Sequence, residues 1–464
     1  MAPHFSDNPP NNNTITAKQP QNHLLHRSLA NPPYMVESAQ GINLHLSDGR
    51  TIIDACGGAA VSIIGHGNPE VQDAIARQAR VASYVHTQSY TTPVAEELAD
   101  FILEGTPYGL EKALFVGSGS EAVEAALKLA RQFHFERNEP QRIHFVSRKQ
   151  SYHGATMGSM SVSYNLARKV PYQGFAYEHV SHVTPPYGYR YKVDGESDEL
   201  FTERLLQEIE DEFLRVGPEK VIAFLAEPVI GATAACVVSP KGYLAGVRKI
   251  CDKYGILLIL DEVMCGTGRT GTFFAFEQEG VIPDIVTSAK GLGGGYATIA
   301  AIYVHGRVVD ALRQGSQALN HGHTYQAHPI SCAAALAVQK IVRRDGLVRR
   351  CQEMGDLLEK MLSKELSKCS SVGEVRGRGL FWGVEFVRDK KTKETFDPAV
   401  GFGAKVMQAA FRRGVAVYPG AGTVDGLRGD HVLLAPPYTV TEEELAVICA
   451  VLRDAVLEQE AVYM

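Results

Sequence analysis

The sequence predicts an α/β protein: a mostly parallel sheet covered by helices on both faces, followed by a smaller α+β region. Three observations carry that prediction. Between about Leu114 and Val304, six short apolar runs alternate with helical patterns: ALFVG, RIHFVS, VIAFLAEP, ILLILDEV, DIVTSAK and IAAIYV. Continuous apolar runs of this kind suit strands buried on both faces. The most unusual polar residues of the region, Ser118, Glu227, Asp261 and Lys290, all fall at the carboxyl ends of those runs, where such sheets bind ligands. Beyond His328, helical patterns over 331–343 and 346–368 lead to two further strands, GVEFV and HVLLA.

The bulk numbers agree with a soluble small-molecule protein. The chain has 464 residues, 45% hydrophobic and 21% charged, enough for two or three domains and a large core. A formal net charge of −6 offers no electrostatic basis for holding nucleic acid or an anionic membrane, so neither partner is expected. The eight cysteines form no CxxC pair and read as reduced core residues, with no metal site. No apolar segment is long enough to span a bilayer, and the N-terminus lacks both the pattern of a secretory signal and the arginines of a mitochondrial presequence, so a cytoplasmic protein is expected. Residues 1–30 begin rich in Asn and Pro and read as a disordered leader.

From Asn31 the elements follow in order. Ile42, Leu44 and Leu46 alternate with polar residues, and a turn at Ser47-Asp48-Gly49 leads into Thr51–Asp54, which predicts an antiparallel hairpin. Residues 71–84 and 93–103 carry helical periodicity, separated by the polar and aromatic segment His86-Thr87-Gln88-Ser89-Tyr90. Gly117-Ser118-Gly119-Ser120-Glu121-Ala122 then opens a helix directly after a strand. Glycines there allow close backbone approach, and free amides at a helix start favour phosphate; a serine N-cap with Glu in the first turn produces the same pattern without a ligand.

Asp261-Glu262 ends the very apolar strand ILLIL, and an acid buried there needs a donor or cationic partner. A protonated ring nitrogen is one such partner. Lys290 ends another strand before a glycine-rich loop, and a desolvated lysine loses its proton readily and attacks carbonyls. A phosphate cradle, a buried carboxylate and a strand-end amine together are what pyridoxal 5′-phosphate requires.

Six motifs now line up: Gly119-Ser120-Glu121-Ala122, Tyr152-His153-Gly154, Glu227-Pro228, Asp261-Glu262-Val263, Ala289-Lys290-Gly291 and Gly322-His323-Thr324-Tyr325. In this order they resemble class III pyridoxal-phosphate aminotransferases, the ω-transaminase group, from about Asn31 to the C-terminus. The resemblance implies fold type I with a seven-stranded sheet, and a homodimer whose active sites are shared across the interface. It also implies a division into an N-terminal segment 31–75 that joins the small domain, a large cofactor-binding domain 76–345, and a C-terminal small domain 346–464. Lys290 resembles the Schiff-base lysine and Asp261 the partner of the pyridine nitrogen, the two catalytic positions. Tyr152 and Val263 would pack on the two ring faces. Ser118, Gly119 and Ser120 would serve the phosphate, with Thr324 reaching across from a second subunit. Glu227 and His153 would belong to the supporting shell, and a purely structural hydrogen bond is an equal reading of His153.

The resemblance implies transfer of an amino group from an amine or amino acid to a keto acid, by ping-pong turnover. Decarboxylation, racemisation or an aminomutase shift on the same scaffold is the alternative. Arg376 matches the arginine that binds carboxylate in ornithine- and aminobutyrate-type members, where a glutamate after the Glu-Pro motif commonly pairs with it. Here Ala232 fills that glutamate's place, which favours pyruvate over 2-oxoglutarate. Arg428 lies near the mobile arginine of ω-transaminases. Ala59 and Ala60 stand where aryl-amine enzymes carry bulky side chains, and Gln88 adds polarity to the wall. The expected pocket is therefore roomy and suited to an ω-amino acid, a diamine or a similar polar amine.

Overall fold

The structure, a computed structural model, describes residues 23–464; the expected leader lies outside the described residues as far as Asn22. A seven-stranded sheet runs in the spatial order Leu110–Val116, Ala300–His305, Ile285–Ser288, Leu257–Asp261, Val221–Ala226, His144–Arg148, Val180–Val183. Ala300–His305 is antiparallel to both neighbours, and the other six strands share one direction. Both faces are buried, which explains the unbroken apolar runs. Leu258 and Leu260 join one core while Leu257 and Ile259 join the core on the opposite face. The seventh strand, Val180–Val183, carries Ser181 and His182 at the sheet edge and so lacks the apolar signature of the other six.

The predicted hairpin forms from Asn43–Leu46 and Thr51–Asp54, and Val36–Gln40 extends it by a third antiparallel strand. Val415–Ala416 then pairs in parallel with Thr51–Asp54, so an early and a late segment of the chain share one sheet. A separate antiparallel sheet, Val372–Arg378, Phe381–Phe386, Asp430–Leu434 and Tyr418–Ala421, packs with helices Phe402–Arg412 and Glu442–Tyr463 around a third core. Helix Pro329–Arg344 lies against both Pro69–Val81 and Pro93–Leu103 and links these regions. Among the described residues no helix is long and apolar enough to cross a membrane.

Candidate active site

Asp261 is the last residue of its strand and is buried. Its Oδ1 accepts from the Thr287 hydroxyl at 2.9 Å and the Val263 amide at 3.0 Å, and its Oδ2 lies 2.7 Å from His153 Nδ1. Three partners make tolerable a carboxylate that would otherwise be costly to bury. His153 is held through its amide, which donates to Ser163 Oγ at 2.8 Å, while its buried Nε2 has no partner among the described residues. Glu262 turns the other way. Its two oxygens accept the Ala275 and Phe276 amides at 2.7 and 2.8 Å, and burial pushes its carboxyl up to about 8.

Glu227 follows the strand Val221–Ala226 and is buried beside the same centre. It accepts from the Tyr152 amide at 3.3 Å and the Gly231 amide at 2.9 Å, and the fully buried Arg148 donates to its backbone carbonyl. Desolvation raises the Glu227 carboxyl, opposed by His153, the Gly231 amide and Arg148.

Lys290 lies two residues past the strand Ile285–Ser288, with φ +46°, a left-handed conformation in a residue with a long side chain. Such a backbone costs on the order of 1–3 kcal/mol and persists only where its surroundings enforce it. The next residue runs close to its neighbours, since a Cβ on Gly291 would come within 3.1 Å of Ile63 Cγ2 and 3.3 Å of Thr267 Cβ. Among the described residues the Lys290 amine makes no hydrogen bond or ion pair. Burial brings its pKa down to about 8, against the pull of Asp261 and Glu227.

The helix Gly119–Glu136 starts beside these groups. Ser118 caps it, its Oγ accepting from the Glu121 amide at 3.3 Å, so this hydroxyl is already engaged within the chain. A Cβ on Gly119 would lie 2.9 Å from Val263 Cγ1 and 3.6 Å from Ala289 Cβ, which places the helix start against both the Asp261 and Lys290 strands. Gly154, at φ +139°, folds the Tyr152-His153-Gly154 turn onto the same helix start. A Cβ there would sit 2.7 Å from Ser120 Oγ, and Ser120 Oγ accepts from the Ala155 amide at 2.9 Å.

These residues fit pyridoxal 5′-phosphate. Lys290 offers an amine without an ionic partner, Asp261 an oriented carboxylate, and the helix start first-turn amides and a positive dipole end for an anion. Gly119 and Gly154 hold the surrounding segments closer than any other side chain permits.

The remaining expected residues divide. Ala60 is buried in an apolar cluster with Ala235 and Phe381, against which Ala232 packs, and Ala59 next to it is half-buried. Gln88 and Thr324 lie exposed on turns. Arg376 is consumed by its neighbours: Nη1 faces Glu374 at 2.5 Å and Glu385 at 2.7 Å, while Nη2 donates to the Tyr187 hydroxyl at 2.8 Å and the Ala234 carbonyl at 2.6 Å. Arg190 Nε also donates to Glu385, at 2.7 Å, and the Tyr187 hydroxyl donates to Glu385 as well. Arg428 is exposed and paired with Asp425 at 2.7 Å.

Several residues escaped the sequence reading. Thr287 lies one residue before the end of an apolar strand and carries no motif of its own; only strand order sets it beside Asp261. Arg148, Tyr187 and Glu385 come from three distant segments. Arg168, whose guanidinium carbon stands 5.0 Å from the Tyr152 ring centroid, had one available signal, its closeness in sequence to Tyr152.

Comparison with known proteins places this geometry. The sequence profile of the family described as aminotransferase class-III matches residues 25–456. An uncharacterized aminotransferase of Schizosaccharomyces pombe is 49% identical over 92% of this chain and 93% of its own length. Among solved structures, an amine transaminase from an uncultivated Pseudomonas species in its PLP-bound form shares 32% identity with a TM-score of 0.88, covering 95% of this chain and 99% of that one. The ω-transaminase of Pseudomonas jessenii in complex with PMP shares 33% identity with a TM-score of 0.87, covering 93% of this chain and 94% of that one. The chain belongs to the class III aminotransferases, fold type I enzymes dependent on pyridoxal 5′-phosphate.

Proposed function

We propose that this transaminase moves an amino group from a polar amine, an ω-amino acid or a diamine to a keto acid, with pyruvate preferred to 2-oxoglutarate, in ping-pong turnover. The observation that carries the reading is Lys290: among the described residues its amine has no ion pair, and burial brings its pKa down to about 8 against the pull of the buried Asp261 and Glu227. Bound at this site, pyridoxal 5′-phosphate supplies the carbonyl that takes up the amino group and the ring that accepts the electron pair from Cα. Lys290 would hold the cofactor through that carbonyl, and its neutral amine would carry the proton at the substrate Cα. Asp261, fixed by Thr287, Val263 and His153, would hold a proton on the ring nitrogen. Tyr152 and Val263 would pack against the cofactor's ring. The first-turn amides at Gly119 and Ser120 would bind the phosphate, and Ser118 keeps that turn in shape. Glu227 and His153 position the groups that touch the cofactor.

Arg376 supports the acceptor preference. Its guanidinium already serves two carboxylates, a hydroxyl and a carbonyl, which leaves no open fork for the second carboxylate of 2-oxoglutarate. The small side chains of Ala59 and Ala60 leave room for a polar amine, and Gln88 adds polarity. The enzyme acts as a homodimer: Thr324 is exposed on its own protomer beside Tyr325 and Tyr84, also exposed, a surface suited to a second copy whose phosphate site it completes. Eight free, buried cysteines suit the reducing cytoplasm.

The test is a single turnover with amine alone, followed by each acceptor in turn. Transamination converts the bound cofactor stably to its amine form, and pyruvate restores the starting spectrum faster than 2-oxoglutarate. A spectrum that returns without any acceptor would mark decarboxylation, racemisation or an aminomutase shift instead.

A further inference from the structure

A keto acid presents a carboxylate next to the carbonyl that reacts, and a planar guanidinium with an unused edge is the side chain best suited to read it. Of the arginines described above, Arg376 has both terminal nitrogens engaged and Arg428 is paired with Asp425. Arg168 differs. It is exposed, its guanidinium carbon stands 5.0 Å from the centroid of the Tyr152 ring, and among the described residues it makes no side-chain hydrogen bond and no ion pair. Stacking on an aromatic face fixes the plane of a guanidinium while leaving its N–H edge free.

The surrounding chain holds Arg168 in that position. The short helix Leu166–Lys169 is tethered by Lys169, whose Nζ donates to the carbonyls of Ser161 at 3.0 Å and Ser163 at 2.9 Å. On its other side Leu166 abuts Gly426, where a Cβ would lie 3.3 Å from Leu166 Cγ. The loop carrying Gly426 is in turn fastened to the Tyr152 segment, because Gln150 Nε2 donates to the carbonyls of Thr423, at 3.0 Å, and Val424. Tyr152, Arg168 and the 422–429 loop therefore form one connected unit.

We propose that Arg168 is a specificity-determining residue that binds the carboxylate of amino-acid and keto-acid substrates beside Tyr152. The inference rests on the transaminase reading above. It assigns the carboxylate to a guanidinium that is free, ahead of the two that are occupied.

The test uses holoenzyme with pyruvate and with propanal, an acceptor that lacks a carboxylate. In Arg168→Ala the ratio of kcat/KM for pyruvate to kcat/KM for propanal is expected to fall about 10- to 100-fold, the factor a charge-assisted hydrogen bond supplies. Arg168→Lys keeps the charge but not the fork and should recover only part of the loss. A readout independent of turnover is saturation-transfer NMR with propionate, an unreactive carboxylate, whose signal on the wild-type holoenzyme should vanish in Arg168→Ala. An unchanged ratio with retained propionate binding overturns the inference. So does an equal loss for pyruvate and propanal, which would make Arg168 a support for Tyr152 alone. If the wild-type holoenzyme transferred no amino group from any amine, the transaminase reading itself would fail, and the pyruvate-to-propanal ratio would have no wild-type value.

Discussion

Thr287 and Asp261 are register partners on neighbouring parallel strands, and the Thr287 hydroxyl donates to Oδ1 of the Asp261 carboxylate at 2.9 Å. The aim of Asp261 is thus set inside the sheet, independently of any loop. Thr287→Val preserves shape and removes the donor. Hydrogen bonds to charged groups are worth about 1.5–3 kcal/mol, so the unfolding free energy of the cofactor-free protein should drop by about 1.5 kcal/mol, with weaker absorption from the bound cofactor's ring-protonated form. Chemical denaturation and absorbance titration measure both, and wild-type values in each would refute the assignment.

Lys290 should give the cofactor-free protein a distinct pH response. Its folded pKa, about 8, lies below the roughly 10.4 of an unfolded lysine, so the folded state binds fewer protons between those values. Stability therefore rises with pH across that window. The rate of pyridoxal phosphate capture should likewise climb with pH and level off above about 8, as the neutral amine becomes dominant. Lys290→Ala should lose roughly 10²–10⁴-fold in turnover while folding normally. A capture rate that is flat from pH 6 to 9 would contradict this account.

Arg376 and Glu385 form a buried, charge-compensated cluster with Arg190 and Glu374, both partly shielded. Removing one member leaves an uncompensated charge, which costs about 3–5 kcal/mol. Arg376→Leu is accordingly expected to lower the denaturation midpoint sharply. An Arg376→Leu enzyme as stable as wild type, but impaired only toward carboxylate substrates, would return Arg376 to the role of substrate ligand.

A site shared between subunits predicts complementation. Thr324→Ala and Lys290→Ala proteins, dissociated, mixed and reassembled at limiting cofactor, should yield heterodimers with one intact site, and random pairing gives about one quarter of wild-type activity. Activity no higher than the average of the two parents would argue that each chain completes its own site.

Much of this was readable before any coordinates. Six of the seven central strands announced themselves because both their faces are buried, and Asp261 and Lys290 stood out as polar residues closing apolar strands. The seventh strand hid behind Ser181 and His182 at the sheet edge. The Asp261-Glu262 pair looked uniform in sequence, yet the two carboxylates point apart, one to the site and the other to the Ala275 and Phe276 amides. Arg376 matched a substrate-binding position, but its occupants, Glu385 from the adjoining strand and Tyr187 from almost two hundred residues upstream, follow only from the three-dimensional arrangement. Periodicity records which faces are buried; it does not record which distant side chains meet.

The contact of Leu166 with Gly426 bears on how substrate range can change. The loops that carry Arg168 and Arg428 are fitted to one another there, so a bulkier residue at 426 shifts the first loop and a smaller one at 166 loosens the second. Substitutions at these two positions will not add independently. A lineage, or an engineer, seeking a different acceptor has to treat the two loops as a single inheritable unit, with paired exchanges succeeding where either change alone misaligns both arginines.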